Sequence, residues 1–213
     1  MRFAALSPLL YVVLTGLALL APHSHAALTY SGVQNITIPS DFDGIYVTFT
    51  DVNDAESFTT STTDTGSWHF NPYFVGASVA TSDLLRPVTA SITTNSNIVN
   101  LAYGTVIDAA STTPTGNSGS TGHMGTGTGQ FQNGVMGYMG FAITFGTNVH
   151  YGYARVTFRN DGTAGTIHDW AWDTTPSFAA TAVPEPATVI PLSLALSLFA
   201  AVHLRRRRAK RAS

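Results

Sequence analysis

From Tyr151 to Arg159 the side chains alternate, with Tyr151, Tyr153, Arg155, Thr157 and Arg159 set against Gly152, Ala154, Val156 and Phe158. A period of two places the two sets on opposite faces of an extended strand and cannot be wound into a helix without scattering its apolar residues. Asn160-Asp161-Gly162 follows, residue types that tolerate the positive φ angles of a turn. Gly165 to Trp172 can then return as the partner strand. The same alternation recurs at Ile45, Val47 and Phe49 against Tyr46, Thr48 and Thr50, and at Phe141, Ile143 and Phe145. Weaker strands are expected at 34–38, 68–75, 88–93 and 98–107. Amphipathic helical patterns of ten or more residues are hard to find in this region. The chain between its ends is therefore expected to be all-β, a β-sandwich of two packed sheets that can take a jelly-roll form.

The rhythm breaks between Thr113 and Gln130, where glycines at 116, 119, 122, 125, 127 and 129 are mixed with Ser, Thr and Asn. This composition reads as a long mobile loop. Once the hydrophobic ends are set aside, residues 27–182 suit one domain of ordinary size. Eleven acidic residues lie in that span against three arginines, Arg86, Arg155 and Arg159, a net of −8, with no lysine. Such a body repels phosphate backbones, which argues against nucleic acid as a partner. With no cysteine in the chain, disulfides and thiolate chemistry are excluded, so stability must come from burial and strand pairing.

The two ends carry addresses. Residues 1–26 have a basic start at Arg2, an apolar stretch through Leu20 and small residues at Ser24 and Ala26, the pattern of a signal helix cut by signal peptidase between Ala26 and Ala27. Residues 188–204 form a second apolar run of 17 residues, at the short end of what spans a bilayer. Arg205, Arg206, Arg207, Arg208, Lys210 and Arg211 follow at once. By the positive-inside rule this cluster (205–213) stays cytoplasmic and the β body faces outward, in agreement with the signal peptide.

Immediately before the span stands Val183-Pro184-Glu185-Pro186-Ala187. Prolines on both sides of Glu185 forbid helix and keep the segment extended at the membrane face. This motif, followed by a short apolar helix and an arginine-rich terminus, resembles the PEP-CTERM sorting signal across residues 183–213. The resemblance implies export across the inner membrane of a Gram-negative bacterium and processing by a separate exosortase. It also implies an association with extracellular polysaccharide. The block from Gly137 to Trp172 is similar to the β region preceding the tail in many proteins of that class; residues 27–134 resemble no family.

Candidate chemistry is sparse. Asp51, Asn53, Asp54 and Glu56 put four oxygen-bearing side chains within six residues, which suits a hard cation such as calcium. The segment departs from an EF-hand at Ala55, lacks the turn glycine and has no closing bidentate glutamate, so a polar loop competes with that reading. Asp41-Phe42-Asp43-Gly44 reads as an acidic turn. His69, His123, His150 and His168 are not at HxH or HxxxH spacing, which leaves metal unsupported. His168 and Asp169 are adjacent and would point to opposite faces of a strand, and no GxSxG elbow occurs. No catalytic residue and no cofactor is expected. Trp68, Tyr73, Tyr151, Tyr153, Trp170 and Trp172 can serve either as sandwich core or as flat surfaces for stacking on sugar rings. The expected function is a non-enzymatic envelope or matrix protein with an adhesive β domain; a carbohydrate-binding module is the alternative, and a secreted hydrolase ranks behind both.

Overall fold

The computed structural model describes residues 28–111, 113 and 121–182. The signal segment with its Ala26/Ala27 junction, the Val183–Pro186 motif, the apolar run 188–204 and the basic cluster lie outside the described residues. Among the described residues there are thirteen strands: β1 (Leu28–Tyr30), β2 (Ile36–Ile38), β3 (Tyr46–Phe49), β4 (Phe58–Ser61), β5 (Phe70–Tyr73), β6 (Ser78–Thr81), β7 (Leu85–Pro87), β8 (Asn100–Leu101), β9 (Val106–Ile107), β10 (Met136–Phe145), β11 (Asn148–Thr157), β12 (Gly165–Asp173) and β13 (Ala180–Thr181). Two short 3-10 turns, Phe74–Gly76 and Thr121–His123, are the helical content among the described residues. The core is all-β, sandwich-like and built from antiparallel sheets.

The large sheet is centred on the meander β10-β11-β12, with β7 and β8 along β10 and β1 and β2 along β12. Gly146, at φ 61°, turns β10 into β11, a conformation that costs glycine little because it has no Cβ. Between β11 and β12 the register slips: Arg155 faces Asp169, but Val156 faces Ile167, so His168 is the extra residue of a bulge. The edge strand answers this irregularity. β1 and β2 are two halves of one edge, interrupted over 31–35 where the bulge sits; there the amides of Gln34 and Asn35 both reach the His168 carbonyl, at 2.8 and 3.1 Å.

The bulge also resets which residues face inward. Trp170 and Trp172 lie on the inner face, and so does Ile167, three residues from Trp170. These side chains, with Met139, Phe141 and Ile143 of β10 and Ala154, Val156 and Phe158 beside them, pack on Val47, Phe49, Phe70 and Val79 of the small sheet β4-β3-β5-β6. The opposite face of the large sheet is covered too. Tyr151, Tyr153 and Ala171 pack under Val88, Ile107, Ala180 and Ala182, carried by the β9–β13 ribbon and its approaches. Tyr151, Tyr153 and Arg155, which share one side of the alternation in the sequence, are consequently buried.

Two expected strands take other forms. The 88–93 segment contributes an isolated bridge, Thr89 to Ile98, around a turn with Asn95 at φ 63°. The 98–107 run is split by Gly104, at φ 82°, into β8 and β9, which belong to different sheets. In the glycine-rich segment, residues 121–130 form no strand but are anchored. His123 and Met124 are buried, the His123 and Gly125 backbones bond Phe131, and the Gln130 side chain accepts from the Gly127 amide at 2.8 Å and donates to the Gly122 carbonyl at 2.8 Å.

Candidate functional site

The six aromatic residues singled out by sequence separate into two groups. Trp170 and Trp172 have 0% of their surface exposed. Phe49 lies between them, with ring centroids 5.1 Å from each, and Phe58 meets Trp170 edge-on at 4.8 Å. Their indole N–H groups are satisfied within the fold: Trp170 donates to the Ala55 carbonyl at 2.9 Å and Trp172 to the Val52 carbonyl at 2.7 Å. Tyr151 and Tyr153 lie under the ribbon. None of these four offers a face to a glycan; of the two roles the sequence leaves open to them they take the core, because both faces of the large sheet are covered.

The same indole contacts explain the Asp51–Glu56 loop. Asp51 Oδ1 accepts the Asn53 amide and Asp54 Oδ1 accepts the Glu56 amide, both at 2.9 Å. The two aspartates thereby shape tight turns that present Val52 and Ala55 carbonyls to the tryptophans. Among the described residues no group of three His, Cys, Asp or Glu side chains is placed to hold a metal ion. This loop acts as a clasp over the sandwich core.

The titratable groups of the interior are likewise committed to structure. His168 and Asp169 do not take the opposite faces that strand alternation predicts, because the bulge falls between them: both lie on the face of β11 that carries Arg155 and Thr157, His168 between the Thr157 hydroxyl (2.8 Å) and Asn35 Oδ1 (3.2 Å), Asp169 against Arg155. There Arg155 Nε donates to both carboxylate oxygens at 2.8 and 2.9 Å, Arg155 Nη2 bonds Oδ2, and the Tyr30 hydroxyl donates to Oδ2 at 2.9 Å. His150 Nδ1 donates to the Asp173 carbonyl at 2.8 Å. His69 Nδ1 accepts the Phe49 amide at 3.1 Å, so its ring is neutral; burial against Phe49 and Phe145 lowers its pKa from 6.5 to about 4. Burial also lowers the pKa of His123, partly opposed by its bond to the Gly76 carbonyl.

The remaining aromatics gather on the solvent side of the small sheet. Because Val47 and Phe70 face the core, the neighbouring Tyr46 on β3 and Asn71 and Tyr73 on β5 take the outer face. Trp68 enters from the segment before β5 and meets Tyr46 edge-on at 5.3 Å, while Phe42 packs beside Tyr73 at 6.2 Å. Together with Asp43 they line a groove of about 240 Å³. A second groove of about 470 Å³ continues from Trp68 past Asp64 and Asp83. The Trp68 indole N–H donates to Asp64 Oδ1 at 3.0 Å, which fixes its plane.

The chain matches no family model, no curated protein and no solved structure. The site is therefore described by its own chemistry: an open aromatic groove with a carboxylate rim. Trp68 and Tyr73 belong to it, as two of the six aromatics considered from sequence, and the structure adds Phe42 and Tyr46. Tyr46 had a legible signal, since a large aromatic on the polar side of an alternating strand has no core to enter. Phe42 had none, because its turn reads only as acidic and polar.

Proposed function

We propose that this chain is an exported cell-envelope or extracellular-matrix protein whose β domain makes non-catalytic structural or adhesive contacts. The address is read from the ends of the sequence: a signal segment, the Val183–Pro186 motif, an apolar run and a basic terminus, in the order of a PEP-CTERM-like tail. In this reading signal peptidase and an exosortase process the precursor, and the tail holds it in the inner membrane with the body outward until sorting. The observation that supports a contact role is the division of labour among side chains. Interior His, Asp and Arg groups serve the fold, while four aromatic rings gather on an open sheet face.

The test is intact mass and cell fractionation of the wild type, of Glu185→Ala and of a deletion of 205–211. Loss of both ends from the wild type, with the Glu185 variant retaining its tail in the inner membrane, is the expected result. A wild-type protein that keeps its tail would overturn exosortase processing. The aromatic groove favours a second reading within the same exported role, a carbohydrate-binding module, because apolar rings flanked by carboxylates suit the C–H faces and polar groups of sugars.

A further inference from the structure

The groove on the small sheet combines aromatic surface with charge of one sign. Asp43 lies among Phe42, Tyr46, Trp68 and Tyr73, and Asp64 lines the second groove, where its Oδ1 accepts the indole N–H of Trp68, the residue the two grooves share. Asp83 adds less, since Arg86 pairs with it at 2.6 Å. The surrounding body carries −8 and no lysine between 27 and 182. An aromatic face attracts a cation through its quadrupole and offers apolar area to a flat ring. A neutral glycan would use the rings and could only donate hydroxyls to the carboxylates, leaving their charge unpaired, and an anionic glycan would be repelled.

The turn that carries Phe42 and Asp43 is fixed before any ligand arrives. Asp41 Oδ1 accepts the Gly44 amide at 2.8 Å. Asn71 braces both sides of the turn, accepting the Ile45 amide at 3.0 Å and donating to the Asp43 carbonyl at 2.8 Å. Gly44 sits at φ 61°, and a Cβ there would fall 2.6 Å from both Asn71 Oδ1 and the Pro72 carbonyl. A rigid turn spares the ordering cost that a loop pays on binding.

We propose that this groove binds a polysaccharide bearing unacetylated amino groups, with sugar rings stacked on Trp68 and its neighbouring aromatics and ammonium groups set against Asp43 and Asp64. The inference rests on the outward-facing contact domain proposed above. It is tested in solution, so it can fail without touching the fractionation result, and the fractionation can fail without touching it.

The experiment is calorimetric titration of the full chain in detergent micelles, in slightly acidic buffer that keeps sugar amines charged. The probes are a β-1,4-glucosamine hexamer, its fully N-acetylated counterpart, a uronic acid hexamer and hexalysine. The glucosamine hexamer is expected to bind best. Trp68→Ala and Phe42→Ala, which remove a stacking or cation–π contact, and Asp43→Asn, which removes a charge paired with the ammonium, should each weaken it about tenfold. Phe42 is 69% exposed, so its variant tests the groove even where Trp68→Ala unfolds. Glu56→Gln, which removes the same charge from an exposed site on the Asp51–Glu56 loop, should leave binding unchanged. Equal weakening by Glu56→Gln would reduce the effect to net charge and overturn the proposal. So would tighter binding of the acetylated hexamer, equal binding of hexalysine, or no binding at all.

Discussion

Replacing Asp169 by leucine should be among the most damaging single changes in the molecule, and the structure allows its size to be worked out. The carboxylate is wholly buried, and the Arg155 side chain is 10% exposed. Two Arg155 nitrogens and the Tyr30 hydroxyl converge on Asp169. Removing one member of such a pair strands the other charge away from water, which costs about 3–5 kcal/mol. The Tyr30 hydroxyl also loses its acceptor, a further cost of about 1 kcal/mol. For a domain of this length each 1 kcal/mol moves the melting temperature by about 2–4 °C, so the pair's loss alone lowers it by about 6–20 °C. Arg155→Met should cost a similar amount by exposing the opposite imbalance. The double variant removes both desolvated charges, and it should recover to within about 1–2 kcal/mol of wild type. Urea unfolding of the four proteins closes the cycle. Single variants that lose less than about 1 kcal/mol, or a double variant as unstable as the two losses added together, would refute the claim that this ribbon-covered face is dry.

Further consequences can be checked on the same protein. The folded pKa of His69, about 4, lies below its ordinary 6.5, so between these values the unfolded chain binds more protons. Stability should fall as pH drops from about 6.5 toward 4, by up to about 1.4 kcal/mol per pH unit, and His69→Leu should flatten the slope of urea midpoint against pH. Gly152→Ala would set a Cβ 2.4 Å from the Ala171 carbonyl and 2.7 Å from the Phe141 ring; thermal melts should show a loss of about 1–3 kcal/mol or more from overpacking. Trp172→Phe keeps most of the apolar volume but strands the Val52 carbonyl, so hydrogen exchange over residues 51–56 should accelerate, with a stability loss of about 1–3 kcal/mol.

Much of the fold was legible because its signals are local. Alternation marked β3, β10 and β11, and turn residues at 160–162 marked where β11 ends and its partner β12 returns. The two- to four-residue strands β1, β4, β6, β7 and β13 carry too little alternation to register and exist because a neighbouring strand supplies their hydrogen bonds. Of the groove, Trp68 and Tyr73 were within reach as aromatics able to stack. Phe42 was not, since nothing near it in the chain announces that β5 will bring Tyr73 alongside.

By itself the sequence determined that the body must be extended chain with tight turns, and it also carries the ordered features at both ends from which export is proposed. The tertiary structure decided which aromatics are core and which are surface. Alternation reports only that neighbouring side chains point opposite ways; it does not say what lies beyond either face. The bulge at His168 reset the inward parity between Ile167 and Trp170. The ribbon from 106–107 and 180–181 then covered the face bearing Tyr151, Tyr153 and Arg155. With both faces of the large sheet closed, it is the outer face of the small sheet whose rings line an open groove, a placement set by contacts between segments far apart in the chain.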